Sequence, residues 1–166
     1  DTADQYQFGQ SESMLSDFIA TDRDDIVLAT KFSLGDSPEA GLQRSGNSRK
    51  SMINSLEASL KRLKTDHIDL LWVYMPAGVT PVDQIARALD DLIRSGKILY
   101  AGLSDFPAWR VATAAALAEL HGWSSVSAVQ LEYSLVERSA ERELLPMAAG
   151  FNLGVVSWSP LGGGLL

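Results

Sequence analysis

Two kinds of hydrophobic run alternate along this chain. The first is short and almost uninterrupted: DDIVLATKF near Ile26, HIDLLWVY near Ile68, KILYAGLS near Ile98, VSAVQLEY near Val126 and LGVVSWSP near Val155. Such runs read as β-strands. Because apolar and polar residues do not alternate in them, they predict strands buried on both faces, as parallel strands covered by helices are. After a longer first interval they recur roughly every thirty residues, the size of one βαβ unit.

The second kind of run has helical spacing. In 48–64, Ile53, Leu56, Leu60 and Leu63 fall at intervals of three and four and form one stripe that would face the sheet. Thr80 is placed to cap a helix whose first residue is Pro81, whose apolar face is Val82, Ile85, Leu89, Leu92 and Ile93, and which Gly96 stops. Pro107 opens a further helix through Val111, Ala114, Ala115 and Leu117 that ends near Gly122. Ser139 is expected to cap another that runs toward Gly150, and an upstream helix is expected over 11–20. The Gly- and Ser-rich stretch 33–48 directly follows a strand, so it would lie at the mouth of any site there.

Repeated βα units admit an open doubly wound sheet or a closed barrel of about 250 residues. No GxGxxG follows the first strand, and the only glycine cluster, Gly162–Gly164, comes too late to open a Rossmann unit. Periodicity leaves the choice open.

Composition narrows the classes of function. The 166 residues are 46% hydrophobic and 21% charged, which suits one globular domain over 1–166. With no cysteine there is no disulfide framework, thiolate nucleophile or Cys-based zinc site, and a reducing compartment fits. A net charge of −7 works against nucleic acid or an anionic membrane as partner. The chain has no apolar run of about eighteen residues, and its first residues, DTADQYQFGQ, are polar, so a soluble cytoplasmic protein is expected.

Six local phrases are more specific: DTADQY followed by GQSE, VLATKF, SLKRLKTDHIDLL, GKILYAGLSDF, VQLEYSLVER and VVSWSPLGGGLL. In this order they resemble the successive blocks of the aldo-keto reductase family, in the branch that ends strand seven in Trp-Ser-Pro-Leu. The resemblance implies an α/β fold, a (β/α)8 TIM barrel, here incomplete. Asp1 would end the second strand and Trp158-Ser159-Pro160 the seventh, with strands one and eight outside the sequence. A barrel lacking two strands leaves two open parallel edges. Such a segment is expected to be inactive alone, and its edges to be covered either by further strands of the same protein or by another copy in a homo-oligomer.

The resemblance also implies chemistry: reduction of small aldehydes or ketones, with hydride from a nicotinamide and a proton from a tyrosine. Tyr6 matches the tyrosine, Lys31 the assisting lysine and Asp1 the aspartate that pairs with it. A free phenol, with a pKa of about 10, is a reluctant acid near neutrality, and a nearby ammonium eases its proton loss. Tyr74 stands where the family's histidine is usual; it can donate a hydrogen bond but cannot carry a positive charge. Ser104, Asp105 and Gln130 match the residues that hold the nicotinamide carboxamide, with Asp105 in place of the usual asparagine. Trp158 matches the aromatic that stacks on the ring, and Ser159 and Leu161 match contacts to the pyrophosphate. NADPH is the expected cofactor and NADH stays open, because the segment that would grip the adenosine 2′-phosphate follows strand eight. His67 and His121 offer no substitute for Tyr74 and are expected on the opposite face. A second reading is a cofactor-binding regulatory or auxiliary subunit with little turnover, which Tyr74 keeps alive.

Overall fold

The computed structural model describes residues 1–37, 41, 44–77 and 79–166. Five strands form a single sheet: β1 (Ala29–Phe32), β2 (Ile68–Tyr74), β3 (Ile98–Ser104), β4 (Ala128–Glu132) and β5 (Gly154–Trp158). They are parallel and lie in chain order, each bonded to the next. Five helices accompany them: α1 (Gln10–Ile19), α2 (Arg49–Leu63), α3 (Val82–Arg94), α4 (Ala108–His121) and α5 (Leu144–Gly150). This is the α/β architecture expected of a partial (β/α)8 barrel.

The segment before α1 adds to the first edge. The Thr2 and Asp4 N–H groups donate to Ala29 and Lys31 carbonyls at 2.9 Å each, so this segment runs alongside β1 like the end of a further strand. The sheet is strongly curled. In a flat sheet the segment and β4 would lie four spacings apart, about 19 Å. Instead the Gln130 side-chain amide on β4 donates to the Asp1 carboxylate at 3.3 Å. Side chains on the concave face therefore converge.

The main core lies on the convex face, between sheet and helices. Phe32, Leu71, Val73, Leu103 and Leu131 from the strands meet Leu56, Leu63, Leu89 and Val111 from α2, α3 and α4. Full burial of each such side chain contributes about 1.5–3 kcal/mol. The concave face holds a smaller cluster in which Trp72 packs with Ala29 and Ala128. Trp72 lies so close across β3 that a Cβ at Gly102 would stand 2.3 Å from its Cζ3 atom. A glycine is required at that position.

The helices match the sequence expectations except at two caps. Ser48 accepts the Ser51 N–H at 3.2 Å and caps α2, and Gly122, at φ 64, ends α4. Thr80 does not cap α3: Pro81 itself occupies the cap position, with no side-chain acceptor to offer, and the Thr80 carbonyl receives Arg110 at 2.7 Å. Ser139 does not cap α5 either. Its hydroxyl and N–H are both engaged by Glu137, it opens a separate 3-10 turn (Ser139–Glu141), and α5 begins only at Leu144. Burial on both faces fails for β5, all five residues of which are exposed. Among the described residues no strand pairs along its outer edge.

Candidate active site

Parallel strands bring all their C-terminal ends to one side, and there β/α barrels carry their chemistry. Lys31 is the third residue of β1, Tyr74 the last of β2, Ser104 the last of β3, Gln130 the third of β4 and Trp158 the last of β5. The register places Tyr74 beside Ser104, Ser104 beside Gln130 and Gln130 beside Val156. Asp105 follows β3 at once in the left-handed region, at φ 58. That conformation is one an aspartate tolerates. Its N–H donates to the Gln130 carbonyl at 2.9 Å, which locks the turn.

These side chains open onto a cavity of about 430 Å³ lined by Asp1, Tyr6, Lys31, Tyr74, Asp105, Gln130 and Trp158. Seven of the ten residues singled out in the sequence thus meet in one space. Ser104 stands at its edge, with its hydroxyl 3.5 Å from both the Asp105 carboxylate and the Gln130 carbonyl oxygen. Ser159 and Leu161 lie outside the lining. The Ser159 hydroxyl accepts the Gly163 N–H at 3.1 Å, and Leu161 is exposed with its carbonyl turned to the N–H groups of Gly164 and Leu166.

Lys31 is the electrostatic centre. Its side chain is only 3% exposed, forms an ion pair with Asp1, donates to the Thr2 carbonyl at 3.1 Å and lies 5.2 Å from the centre of the Tyr6 ring. Burial pulls the Lys31 ammonium below its ordinary range, while Tyr6 and the Asp105 carboxylate push it back. The Asp105 carboxylate accepts the Trp158 indole N–H at 2.8 Å. Tyr74 is pushed above the ordinary phenol value, first by burial and then by Asp105 and Tyr6, so it is held in the un-ionised form that donates a hydrogen bond.

The arrangement fits a flat ring bearing a carboxamide. The Ser104 contacts to Asp105 and Gln130 sit at the outer limit of hydrogen bonding, so the Ser104 hydroxyl is loosely engaged and could re-pair with a ligand amide. The Trp158 ring offers a stacking face beside them.

Neither histidine lines the cavity. His67 precedes β2 and contacts Asp66, and His121 ends α4 stacked on Trp123 at 4.6 Å. Sequence reasoning passed over Val156 and Ser157, which also line the cavity. Period-two alternation with Trp158 would have found Val156. It passed over a buried polar network behind the site as well. There Glu12, fully buried, accepts from Thr30 and from Arg62, each at 2.6 Å, and Arg62 also pairs with Asp36 at 3.1 Å. The described part of the 33–48 loop does reach this end of the sheet: Asn47 donates to the Ser33 hydroxyl at 2.7 Å and to the Met75 carbonyl at 3.2 Å. Residues 38–40 and 42–43 of that loop lie outside the described residues.

The chain is 40% identical to a norsolorinic acid reductase of Aspergillus flavus over 99% of its own length and 44% of that protein. It is 41% identical to the uncharacterized oxidoreductase YrpG of Bacillus subtilis, over 100% of this chain and 54% of that one. A putative aryl-alcohol dehydrogenase of Saccharomyces cerevisiae is 37% identical, with 99% and 46% covered. The chain spans about half the length of the curated relatives it matches. A family model described as the aldo/keto reductase family matches residues 1–166, and the chain belongs to that family.

Proposed function

We propose that the protein carrying this chain reduces aldehydes or ketones to alcohols with NADPH, using Tyr6 as proton donor. The observation that carries this reading is the convergence of Tyr6, a buried Lys31 and Asp1 in one cavity. The bound nicotinamide would supply hydride to the carbonyl carbon. Tyr6 would pass its hydroxyl proton to the carbonyl oxygen, and the phenolate left behind would be stabilised by the adjacent Lys31 ammonium. Asp1 would keep that ammonium charged and in place, since a lone buried cation tends to shed its proton. Tyr74 would donate a second hydrogen bond toward the carbonyl oxygen. Ser104, Asp105, Gln130 and Trp158 would hold the nicotinamide, with Ser159 and Leu161 on the pyrophosphate side.

Three aromatic rings around the cavity, Tyr6, Tyr74 and Trp158, favour aryl carbonyl substrates, in keeping with the name of the yeast relative, an aryl-alcohol dehydrogenase. The cysteine-free composition fits the cytoplasm as the setting.

Steady-state NADPH oxidation by the full-length protein against a panel of alkyl and aryl aldehydes tests the reading. Tyr6→Phe should lower kcat/KM by about 10²–10⁴-fold. Turnover unaffected by the substitution would sink the assigned mechanism. Tyr74, in place of a group able to carry positive charge, favours one alternative, a nucleotide-binding subunit with little turnover. Tight NADPH binding with negligible oxidation across the panel would select it.

A further inference from the structure

We infer that Asp105 makes this cavity discriminate between the redox forms of the nicotinamide, holding the oxidised, positively charged ring more tightly than the reduced, neutral one. The inference rests on the nucleotide-binding reading above and adds to it a preference set by one side chain.

Three lining groups carry a full charge: Asp1, Lys31 and Asp105. Lys31 is engaged by Asp1 in an ion pair. Asp105 has no ion-pair partner among the described residues; its oxygens are met only by neutral donors, the Trp158 indole N–H at 2.8 Å and the Ser104 hydroxyl at 3.5 Å. The cavity therefore carries one negative charge that its own ion pair leaves uncancelled.

Swinging the Asp105 side chain out to solvent would break the indole hydrogen bond, and the bond from its N–H to the Gln130 carbonyl fixes the backbone from which that side chain projects into the cavity. Its field is felt across the cavity, where it raises both Lys31 and Tyr74. A flat ring stacked on Trp158 would lie next to the carboxylate that grips that indole. The indole face is itself attractive to a cation. Both features act in the same direction, toward a positively charged ring. Oxidised nucleotide should consequently be a strong product inhibitor.

The experiment uses the full-length protein, with NADP⁺ and NADPH as probes, and measures their equilibrium dissociation constants by calorimetry. Wild type is compared with Asp105→Asn and Asp105→Ala. Asparagine tolerates the left-handed backbone and still accepts the indole N–H, so it removes charge and little else. The adenosine and phosphate portions are shared by the two probes. The ratio of their constants therefore isolates the ring, and the Coulomb term at this range sets the expected change. In both variants the preference for NADP⁺ over NADPH should fall about tenfold relative to wild type. A ratio unchanged within about twofold would overturn the inference, as would a fall in the alanine variant alone, which would assign the effect to hydrogen bonding. Loss of both probes in both variants would also overturn it, making Asp105 a scaffold for the site. If wild type binds neither probe, the nucleotide-binding reading fails, and this inference with it.

Discussion

Asp4 and Asp90 are the same residue type at the same depth, 1% and 0% exposed, yet their surroundings drive them in opposite directions. Asp90, on α3, is fully served: one oxygen accepts the Ser124 N–H at 2.8 Å, and the other accepts Arg94 at 2.8 Å and Arg87 at 3.3 Å. Burial pushes its carboxyl up, but Ser124 and Arg94 together outweigh this and leave it below the ordinary range. Asp4, between Asp1 and Tyr6, has an oxygen with no hydrogen-bond partner. Burial, helped by the neighbouring carboxylates Glu12 and Asp36 and opposed by Arg62, raises it to about 7. Burial alone therefore does not decide what a buried carboxylate does. The donors aimed at it decide. The satisfied aspartate ties α3 to the chain entering β4, whereas the unsatisfied one lies in the segment that carries the proposed acid.

The largest effect on these buried carboxylates is expected at Arg62. This side chain neutralises the fully buried Glu12 and pairs with Asp36. Arg62→Met would strand those carboxylates, so a loss of about 3–5 kcal/mol in unfolding free energy is expected by denaturant titration. Asp90→Ala comes next. It leaves the Ser124 N–H unpaired and removes the charge-assisted bonds to Arg94, and should cost about 2–3 kcal/mol. Asp4→Asn should act with the opposite sign, stabilising the protein by about 1–3 kcal/mol above pH 7. The smallest change is expected for Arg87→Ala. That arginine is half exposed and its contact to Asp90 is long, so a loss of no more than about 0.5 kcal/mol should be seen.

The two aspartates also differ in how they couple stability to pH. In the unfolded chain Asp4 ionises near its ordinary value of 3.8, while in the folded protein it keeps its proton until about pH 7. Between those values the folded state holds the extra proton, so the Asp4 contribution to stability falls as pH rises through this window and is level above it. For Asp90 the folded value is the lower one, so its contribution is complete above 3.8 and is lost as pH falls below that. Stability measured from pH 4 to 8 in wild type and Asp4→Asn should converge at the acid end and diverge toward pH 7. Parallel curves would refute the assignment to Asp4.

Much of this was legible beforehand, for identifiable reasons. The strands near Ile68 and Ile98 and the stripe Ile53, Leu56, Leu60, Leu63 follow from side-chain periodicity, which is a local property. Lys31, Tyr74 and Gln130 could be singled out because their blocks resemble those of the family, and the barrel that the resemblance implies puts the C-terminal ends of its strands on one side. The caps misread at Thr80 and Ser139 fail for different reasons: α3 begins one residue later than expected, with Pro81 at the cap position, and the Ser139 hydroxyl is taken by Glu137. Periodicity alone misled at β5, since a run of apolar residues says nothing of whether a partner lies along its edge; the open edge there followed from the resemblance.

The sequence alone determined the order and type of the main elements, the family blocks and seven of the groups that line the cavity. These depend on spacing along the chain and on side-chain chemistry. Only the tertiary structure decided the curl that brings Asp1 within reach of Gln130 and the indole bond that pins Asp105. It alone decided that both Asp90 oxygens should be satisfied and one Asp4 oxygen left without a donor. Each of these depends on the distance and angle between groups far apart in sequence, and electrostatic and hydrogen-bond energies change steeply over that distance.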